Sequence, residues 1–416
     1  MSPAVQKNSF AKNVITLLTG TVVAQALPIA VMPILTRLYS PSDFGVLAVF
    51  VAIITILGVI ANARYELAIV LPEEDEDAVN LVALGLLIAL VLFFISLVIV
   101  VLFGSYIAGW IGYTDFWWLY LIPFSLLFSG LYNVLSYYNI RIKAYKDISL
   151  SNVYKGIVLA ASQILLGILS FNKVGLIVGQ FLSQFFSNFR LLKNIWGKRK
   201  LVTVELIKSN AKRYIDFPKY SVWGVFANSL SVNLIQLIMP ILYSLTILGF
   251  YSVVQKLLGM PTSLIGNSIG QVYFQEANKE KKEKNNCKSI FERTLKKLTL
   301  ISIVLFVPLY FLCEFLFGFF LGREWSGVYQ YAQILIPMFA IRFVAISLSN
   351  TTNIFERQKL ALLCQLLLLV INLLVIGFAL VYHMEIFSFL KLLAFSLSIY
   401  YIALLYVLYC VSRGEK

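Results

Sequence analysis

The chain has 416 residues, of which 60% are hydrophobic, 15% aromatic and only 13% charged. Soluble domains carry about 25% charged residues, so this composition, with a mean hydropathy of +0.85, excludes a water-soluble enzyme, a disordered chain and a disulfide scaffold. The net charge of +14 does not point to nucleic acid, because the basic residues lie between apolar segments that belong in lipid.

Along the chain, the first apolar stretch, Asn13–Thr36, has 24 uncharged residues. It lacks a small-residue cleavage site after a short core, so it is expected to be a span and not a cleaved signal. Hydropathy places further spans, twelve in all, near 14–37, 44–70, 79–103, 117–140, 148–171, 174–195, 220–244, 247–273, 297–320, 327–352, 360–382 and 387–411. Segments of this length in hydrocarbon must be helices, because only a helix or a closed barrel satisfies its own backbone there. Barrel strands would show ten-residue alternation, which is absent. The expected fold class is an all-α polytopic membrane protein with about 12 transmembrane helices.

The loops between alternate spans hold 25 basic residues on one side, including eight from Lys193 to Lys219 and eight from Lys279 to Lys297. The other side holds only Arg37, Lys173 and Arg323. Positive charge stays inside, which places both termini in the cytoplasm. The acidic loop Glu73-Glu74-Asp75-Glu76-Asp77 is on the same side and contributes little to orientation.

Residues 198–219 carry Leu201, Val204, Ile207 and Ile215 among Lys and Arg, the pattern of an amphipathic helix at the membrane surface. This linker divides the chain into an N-terminal lobe, 1–197, and a C-terminal lobe, 220–416. A shift of 204 residues supports the division. Gly20 meets Gly224, Ile34 meets Ile238, Leu38-Tyr39-Ser40 meets Leu242-Tyr243-Ser244, Gly45 meets Gly249 and Val49 meets Val253. An offset of six spans implies parallel halves. Similar turns between apolar helices are the plainer reading of the same identities.

The four cysteines, Cys287, Cys313, Cys364 and Cys410, form no CxxC or Cys/His cluster, so neither a metal site nor a disulfide framework is expected. No phosphate loop, HExxH or nucleophile elbow occurs, and no cofactor is implied. The lone His383 sits at a span edge beside Glu385 and reads as a surface residue.

Charges inside spans carry more information, since each costs at least ~2.5–3.5 kcal/mol at the bilayer centre. Arg190 and Lys391 lie near span ends and can snorkel. Arg64 has Glu66 beside it, so a local pair competes with a cavity role. Lys155 lies about two turns from the inner edge, while Lys256 and Arg342 are near mid-span. With Glu66 and Glu314 the only acidic residues in spans, the interior is net positive and suits an oxyanion such as pyrophosphate. Pro28 and Pro33 in the first span, and Gly259, Pro261, Gly266 and Gly270 in the eighth, predict kinks. Ser229, Asn233, Gln236 and Pro240 share one helical face, suited equally to an aqueous path and to a neighbouring helix. Gly175 and Gly179 form GxxxG, a close-packing signal.

Several stretches resemble Wzx-type polysaccharide flippases. They are Leu17-Leu18-Thr19-Gly20-Thr21, Pro33-Ile34-Leu35-Thr36-Arg37-Leu38-Tyr39-Ser40-Pro41 with Asp43-Phe44-Gly45, and Arg64-Tyr65-Glu66 with Leu71-Pro72 and its acidic loop. The stretch from Gly249-Phe250-Tyr251 through Leu258-Gly259-Met260-Pro261 to Gly270-Gln271-Val272-Tyr273-Phe274-Gln275-Glu276, then Gly322-Arg323-Glu324-Trp325 and Arg342-Phe343, are similar to the same family. The resemblance implies the fold of the multidrug/oligosaccharidyl-lipid/polysaccharide exporter superfamily, two six-helix lobes around a central cavity.

It further implies a non-enzymatic flippase of the bacterial cytoplasmic membrane. The substrate would be an undecaprenyl-pyrophosphate-linked oligosaccharide destined for O-antigen, capsule or exopolysaccharide. Membrane lipid and other polysaccharide assembly proteins would be its partners. On this reading Arg64, Lys155, Lys256 and Arg342 bind substrate, and Arg37, Asp43, Glu66 and Glu314 are candidates for gating or ion coupling. For Arg37 and Asp43, topology and turn capping are the competing reading. The alternatives are a lipid II flippase, a cation-coupled drug exporter on the same scaffold and a membrane polysaccharide polymerase. The polymerase would need a large outer loop, which is absent, and the exporter would need an acidic interior.

Overall fold

The computed structural model describes residues 20–112 and 116–414, and among these no strand occurs. The chain divides into two compact units, the first ending at Thr246 and the second beginning at Ile247. Ten helices among the described residues are long and apolar enough to cross a bilayer. Large side chains such as Val91, Phe94, Leu102, Phe311, Phe315, Leu363 and Leu374 are exposed along them. A surface of that kind is covered by lipid, and the chain is a multi-pass membrane protein.

The first unit opens with α1, Gly20–Leu38. It is interrupted at Val31, where Pro33 enters the first turn of the stretch Met32–Leu38, because proline lacks the N–H that would continue the ladder. The chain extends at Tyr39 (φ −130°, ψ 139°), and Ser40 caps α2, Pro41–Gly58. Asp43 closes a capping box there, accepting from the Ser40 amide at 2.9 Å and hydroxyl at 2.7 Å. The helix stops at Gly58, short of the expected residue 70. Ala63 and Arg64 turn left-handed (φ 48° and 66°) and a 3-10 stretch, Tyr65–Val70, follows.

Next come α3 (Asp75–Trp110), α4 (Leu121–Arg141), α5 (Tyr145–Ile168) and α6 (Asn172–Trp196). The acidic first turn of α3, Asp75 to Asp77, complements its helix dipole. Helices α5 and α6 pack through small residues. A Cβ on Gly179 would lie 2.5 Å from Gln163 Cγ and one on Gly175 would lie 2.2 Å from the Tyr39 hydroxyl. The GxxxG motif is therefore a packing surface, as expected.

Asn62 ties the turn after α2 to two helices. Its Nδ2 donates to Gly85 O at 3.0 Å and to Gly130 O at 3.1 Å, and Asn133 Nδ2 donates to its Oδ1 at 3.4 Å. Replacing Asn62 by alanine removes all three from a residue 1% exposed. Lost buried hydrogen bonds cost about 1–3 kcal/mol, so N62A is expected to melt several degrees lower in detergent.

The linker forms a short helix, α7, Val204–Arg213. Leu201, Ile207, Ala211 and Tyr214 pack against the core of the first unit, while Val204 and Ile215 are exposed. The expected surface helix thus turns much of its apolar face to protein. Polar hooks explain why. Asn80 donates to Leu201 O and accepts from the Thr203 amide, both at 2.9 Å. Asn210 donates to Asp77 at 2.9 Å, the Tyr65 hydroxyl donates to Ala211 O at 2.9 Å, and Lys198 pairs with Asp75 at 2.6 Å. The acidic loop holds the linker. A π-turn, Phe217–Ser221, leads into α8, Val222–Leu242. Its Ser229 donates to Thr55 O of α2 at 3.1 Å.

The second unit takes in most of α9, Leu245–Pro261, then α10 (Asn267–Lys284), α11 (Lys288–Leu321), α12 (Val328–Ser347), α13 (Gln358–Val381) and α14 (Ile386–Ser412). The eighth predicted span is broken as the Gly and Pro residues anticipated: α9 stops at Pro261 and a π-turn covers Thr262–Gly266. A Cβ on Gly270 would sit 2.8 Å from Ser347 O, so α10 crosses close to the end of α12.

Between α10 and α11, Glu280 accepts from the Ser289 hydroxyl, from the Ile290 amide at 3.0 Å and from Lys284 at 3.3 Å. Burial opposes its charge, but these donors outweigh burial and hold the carboxyl below its usual range. A depressed folded pKa contributes stability above the unfolded value near 4.3 that is lost as pH falls through the folded one. E280Q is expected to melt below the parent at neutral pH, and the two melting temperatures should converge on acidification below pH 4.

Candidate functional site

The cations singled out on the spans belong to both units. In the first, Lys155 lies on α5, where its Nζ stands 5.3 Å from the centroid of the Tyr132 ring. That ring is fixed because its hydroxyl donates to Asn152 Oδ1 at 2.6 Å. Cation–π contact offsets part of the cost of taking an ammonium out of water.

Arg64 has a different setting from the one expected. It stands in the left-handed turn below α2 and pairs with Glu66 at 3.3 Å, and Glu66 is 4% exposed. The local pair is the arrangement observed. It leaves Arg64 Nε and Glu66 Oε2 buried without a hydrogen-bond partner.

In the second unit, Lys256 on α9 is exposed. Arg342 on α12 is half-buried and its guanidinium lies 5.2 Å from the centroid of Phe339, with the buried Tyr251 phenol within electrostatic reach. The two helices adjoin at this level, since a Cβ on Gly259 would lie 4.0 Å from the Phe339 ring. Among the described residues, Lys155, Lys256 and Arg342 form no ion pair, whereas Arg190 pairs with Asp147 at 2.8 Å. Charged residues without an ion-pair partner on membrane helices are costly and mark candidate functional positions.

The remaining candidates have local partners or open surroundings. Arg37 Nη1 donates to Pro33 O at 2.9 Å and Asp43 caps α2. Glu314 is exposed on α11 among the exposed Phe311, Leu312 and Phe315. In the α8 stripe, Ser229 joins α8 to α2, while Asn233 Nδ2 donates to Ser229 O at 2.8 Å within its own helix. The described residues contain no group of three His, Cys, Asp or Glu side chains able to hold a metal ion.

Sequence reasoning missed the polar side of α4. Tyr132, Asn133, Ser136 and Tyr137 are all half-buried and extend from the Lys155 ammonium to the Arg64 pair, whose charges both act on Tyr137. Their i, i+1, i+4, i+5 spacing inside the uncharged run Phe116–Ile140 was the available signal.

The fold has solved counterparts. A multidrug resistance MATE family transporter of the MOP superfamily, in an inward-facing conformation, is similar with a TM-score of 0.69 at 13% identity, covering 95% of this chain and 92% of that one. The lipid II flippase MurJ in an inward closed conformation has a TM-score of 0.66 at 14% identity, covering 98% and 87%. A MOP superfamily transporter from Pyrococcus furiosus has a TM-score of 0.61 at 14% identity, covering 96% and 94%. At such identities the likeness is one of fold. No curated protein sequence matches the chain. The family described as polysaccharide biosynthesis protein matches residues 34–330, well over half of the sequence, and the chain belongs to that family.

Proposed function

We propose that the protein is a flippase carrying undecaprenyl-pyrophosphate-linked oligosaccharide from the inner to the outer leaflet of the bacterial cytoplasmic membrane. The observation that carries this reading is the set of unpaired cations on membrane helices: Lys155 over Tyr132, Arg342 over Phe339, and Lys256. A pyrophosphate brings several oxygens that accept from Lys and Arg, and a guanidinium grips two at once. The prenyl chain stays in lipid while the headgroup crosses.

Alternating access of two six-span halves, flanking the 198–219 linker and with both termini cytoplasmic, provides the route. The same turn sequence between α1 and α2 and between α8 and α9 supports that symmetry. Membrane lipid surrounds the helices, and other polysaccharide assembly proteins supply and receive the substrate. Glu66, buried with one free carboxylate oxygen, is the stronger candidate for ion coupling. Glu314 is exposed beside apolar side chains. Arg64 acts through its pair with Glu66.

The MurJ structure is that of a lipid II flippase, and the same cations would suit a lipid II pyrophosphate. The Pyrococcus furiosus structure is described by a reversed polarity of its binding pocket that suggests a different function. Basic spans here likewise argue against a carrier of cationic drugs. The test is reconstitution in vesicles loaded with labelled undecaprenyl-pyrophosphate oligosaccharide, lipid II or a cationic dye. Protein-dependent exposure of the oligosaccharide headgroup to an external reagent is expected. Translocation of lipid II or dye alone would overturn the reading.

A further inference from the structure

Resting on that reading, we infer that the polar side of α4, with Asn152 of α5, is a sugar-recognising wall that holds hydroxyls of the glycan beside the Lys155 ammonium. Tyr132, Asn133, Ser136 and Tyr137 project from one side of α4 within a single run of about one and a half turns, since residues four apart stack on a helix. Each is half-buried, so part of every side chain stays accessible. A phenol and an amide both donate and accept, which matches a sugar ring whose hydroxyls do the same.

Helix packing accounts for these residues only in part: the Tyr132 and Tyr137 rings rest on the core of the first unit and Tyr132 also bonds Ser136, while each side chain keeps an accessible portion. Asn133 reaches Asn62 at only 3.4 Å, a long bond that uses one of its two amide donors. Asn152 accepts the Tyr132 hydroxyl at 2.6 Å through its amide oxygen, which orients the phenol. The buried asparagine of this region, Asn62, is by contrast spent on two backbone carbonyls. The membrane tolerates polar side chains where they meet a partner. Beside an unpaired ammonium, a hydroxyl-rich headgroup is a partner that satisfies amide, phenol and cation together.

Specificity follows from this chemistry. A site built to hydrogen-bond hydroxyls rejects a ligand lacking them far more strongly than an apolar pocket does. The wall would therefore separate a full glycan from a bare prenyl pyrophosphate, while the cations grip both.

The experiment compares the lipid-linked oligosaccharide extracted from the producing bacterium with undecaprenyl pyrophosphate carrying no sugar, and with the free oligosaccharide. Binding is measured on purified protein in nanodiscs for the parent and for N133A and S136A, which leave the Tyr132–Asn152 support of Lys155 in place, with melting temperature checking the fold. Both variants are expected to lose at least tenfold in affinity for the lipid-linked and the free oligosaccharide. Affinity for bare undecaprenyl pyrophosphate should stay within twofold. Equal losses on all three ligands, or no loss on either sugar-bearing ligand in folded variants, would overturn the wall. If the parent binds the free oligosaccharide but no prenyl pyrophosphate, the lipid carrier reading fails while the wall stands. If it binds prenyl pyrophosphate with no gain from sugar, the wall fails alone.

Discussion

Replacing Arg342 and Lys256 together by glutamine is expected to lower translocation of a pyrophosphate-linked headgroup at least tenfold without unfolding the protein. Hydrogen bonds to charged groups contribute about 1.5–3 kcal/mol each, and 1.4 kcal/mol is a factor of ten in affinity. The two helices adjoin, so the losses need not add, and tenfold is a lower bound. Stability gives an independent reading. Neither cation has an ion-pair partner among the described residues, so neutralising both removes a desolvation cost. The variant should melt at the parent temperature or above it. A structural pair would behave the opposite way: R190Q takes from Asp147 its ion-pair partner at 2.8 Å and leaves it the Asn194 amide at 2.9 Å, so that variant should melt no higher than the parent. Arginine at 342 also differs from lysine, because a guanidinium can offer phosphate two donors at once and here rests on the Phe339 ring. R342K should retain only part of the activity. Full translocation by the double variant, at parental protein levels, would remove the cation clamp.

How much of this was legible in the sequence depended on whether hydrophobic length or local chain direction was the deciding quantity. The spans were legible because apolar length in lipid leaves only one backbone solution, and ten helices among the described residues are long and apolar enough to cross a bilayer, against the twelve spans expected. The end of α2 was not. The run Phe44–Ala63 is uncharged to its last residue, and the left-handed Ala63 and Arg64 carry none of the usual turn residues, Gly, Asn or Asp. Arg64 and Glu66 were placed inside a span for that reason. The break after Pro261 was legible, since proline and three glycines stand there in the sequence.

The linker illustrates a different limit. Its alternation of Lys with Leu, Val and Ile specifies an amphipathic helix but not whether lipid or protein covers the apolar face. That choice was made by Asn80, Asp77 and Tyr65, more than a hundred residues upstream. The candidate site was legible as a list of charges and not as surroundings. Lys155 was found because a lysine in hydrocarbon stands out, whereas Tyr132 and Asn152, which frame it, are ordinary members of an apolar run.

Gly45→Val is expected to be the most damaging single substitution in the first unit. An added Cβ would lie 2.0 Å from Leu245 O, 2.8 Å from its carbonyl carbon and 3.1 Å from its Cα. All three are backbone atoms, so no rotamer change relieves the overlap. The start of α2 would have to separate from the turn at Tyr243 and Ser244, in a region where Ser40 and Asp43 already fix the helix end. Overpacking costs typically 1–3 kcal/mol, and a valine adds two further methyl groups to the same contact. For chains of this size about 2–4 °C is lost per kcal/mol, so a fall of roughly 5 °C or more in detergent is expected, with loss of monodisperse protein. Gly45→Ala should share most of the effect, because the first added carbon already collides. Gly377 in α13 supplies the control: nothing lies within 4 Å of its added Cβ, and alanine is favoured over glycine inside a helix by about 0.5–1 kcal/mol. G377A should therefore melt at or above the parent. If G45A and G377A were equally harmless, the close approach of α2 to Leu245 would be wrong.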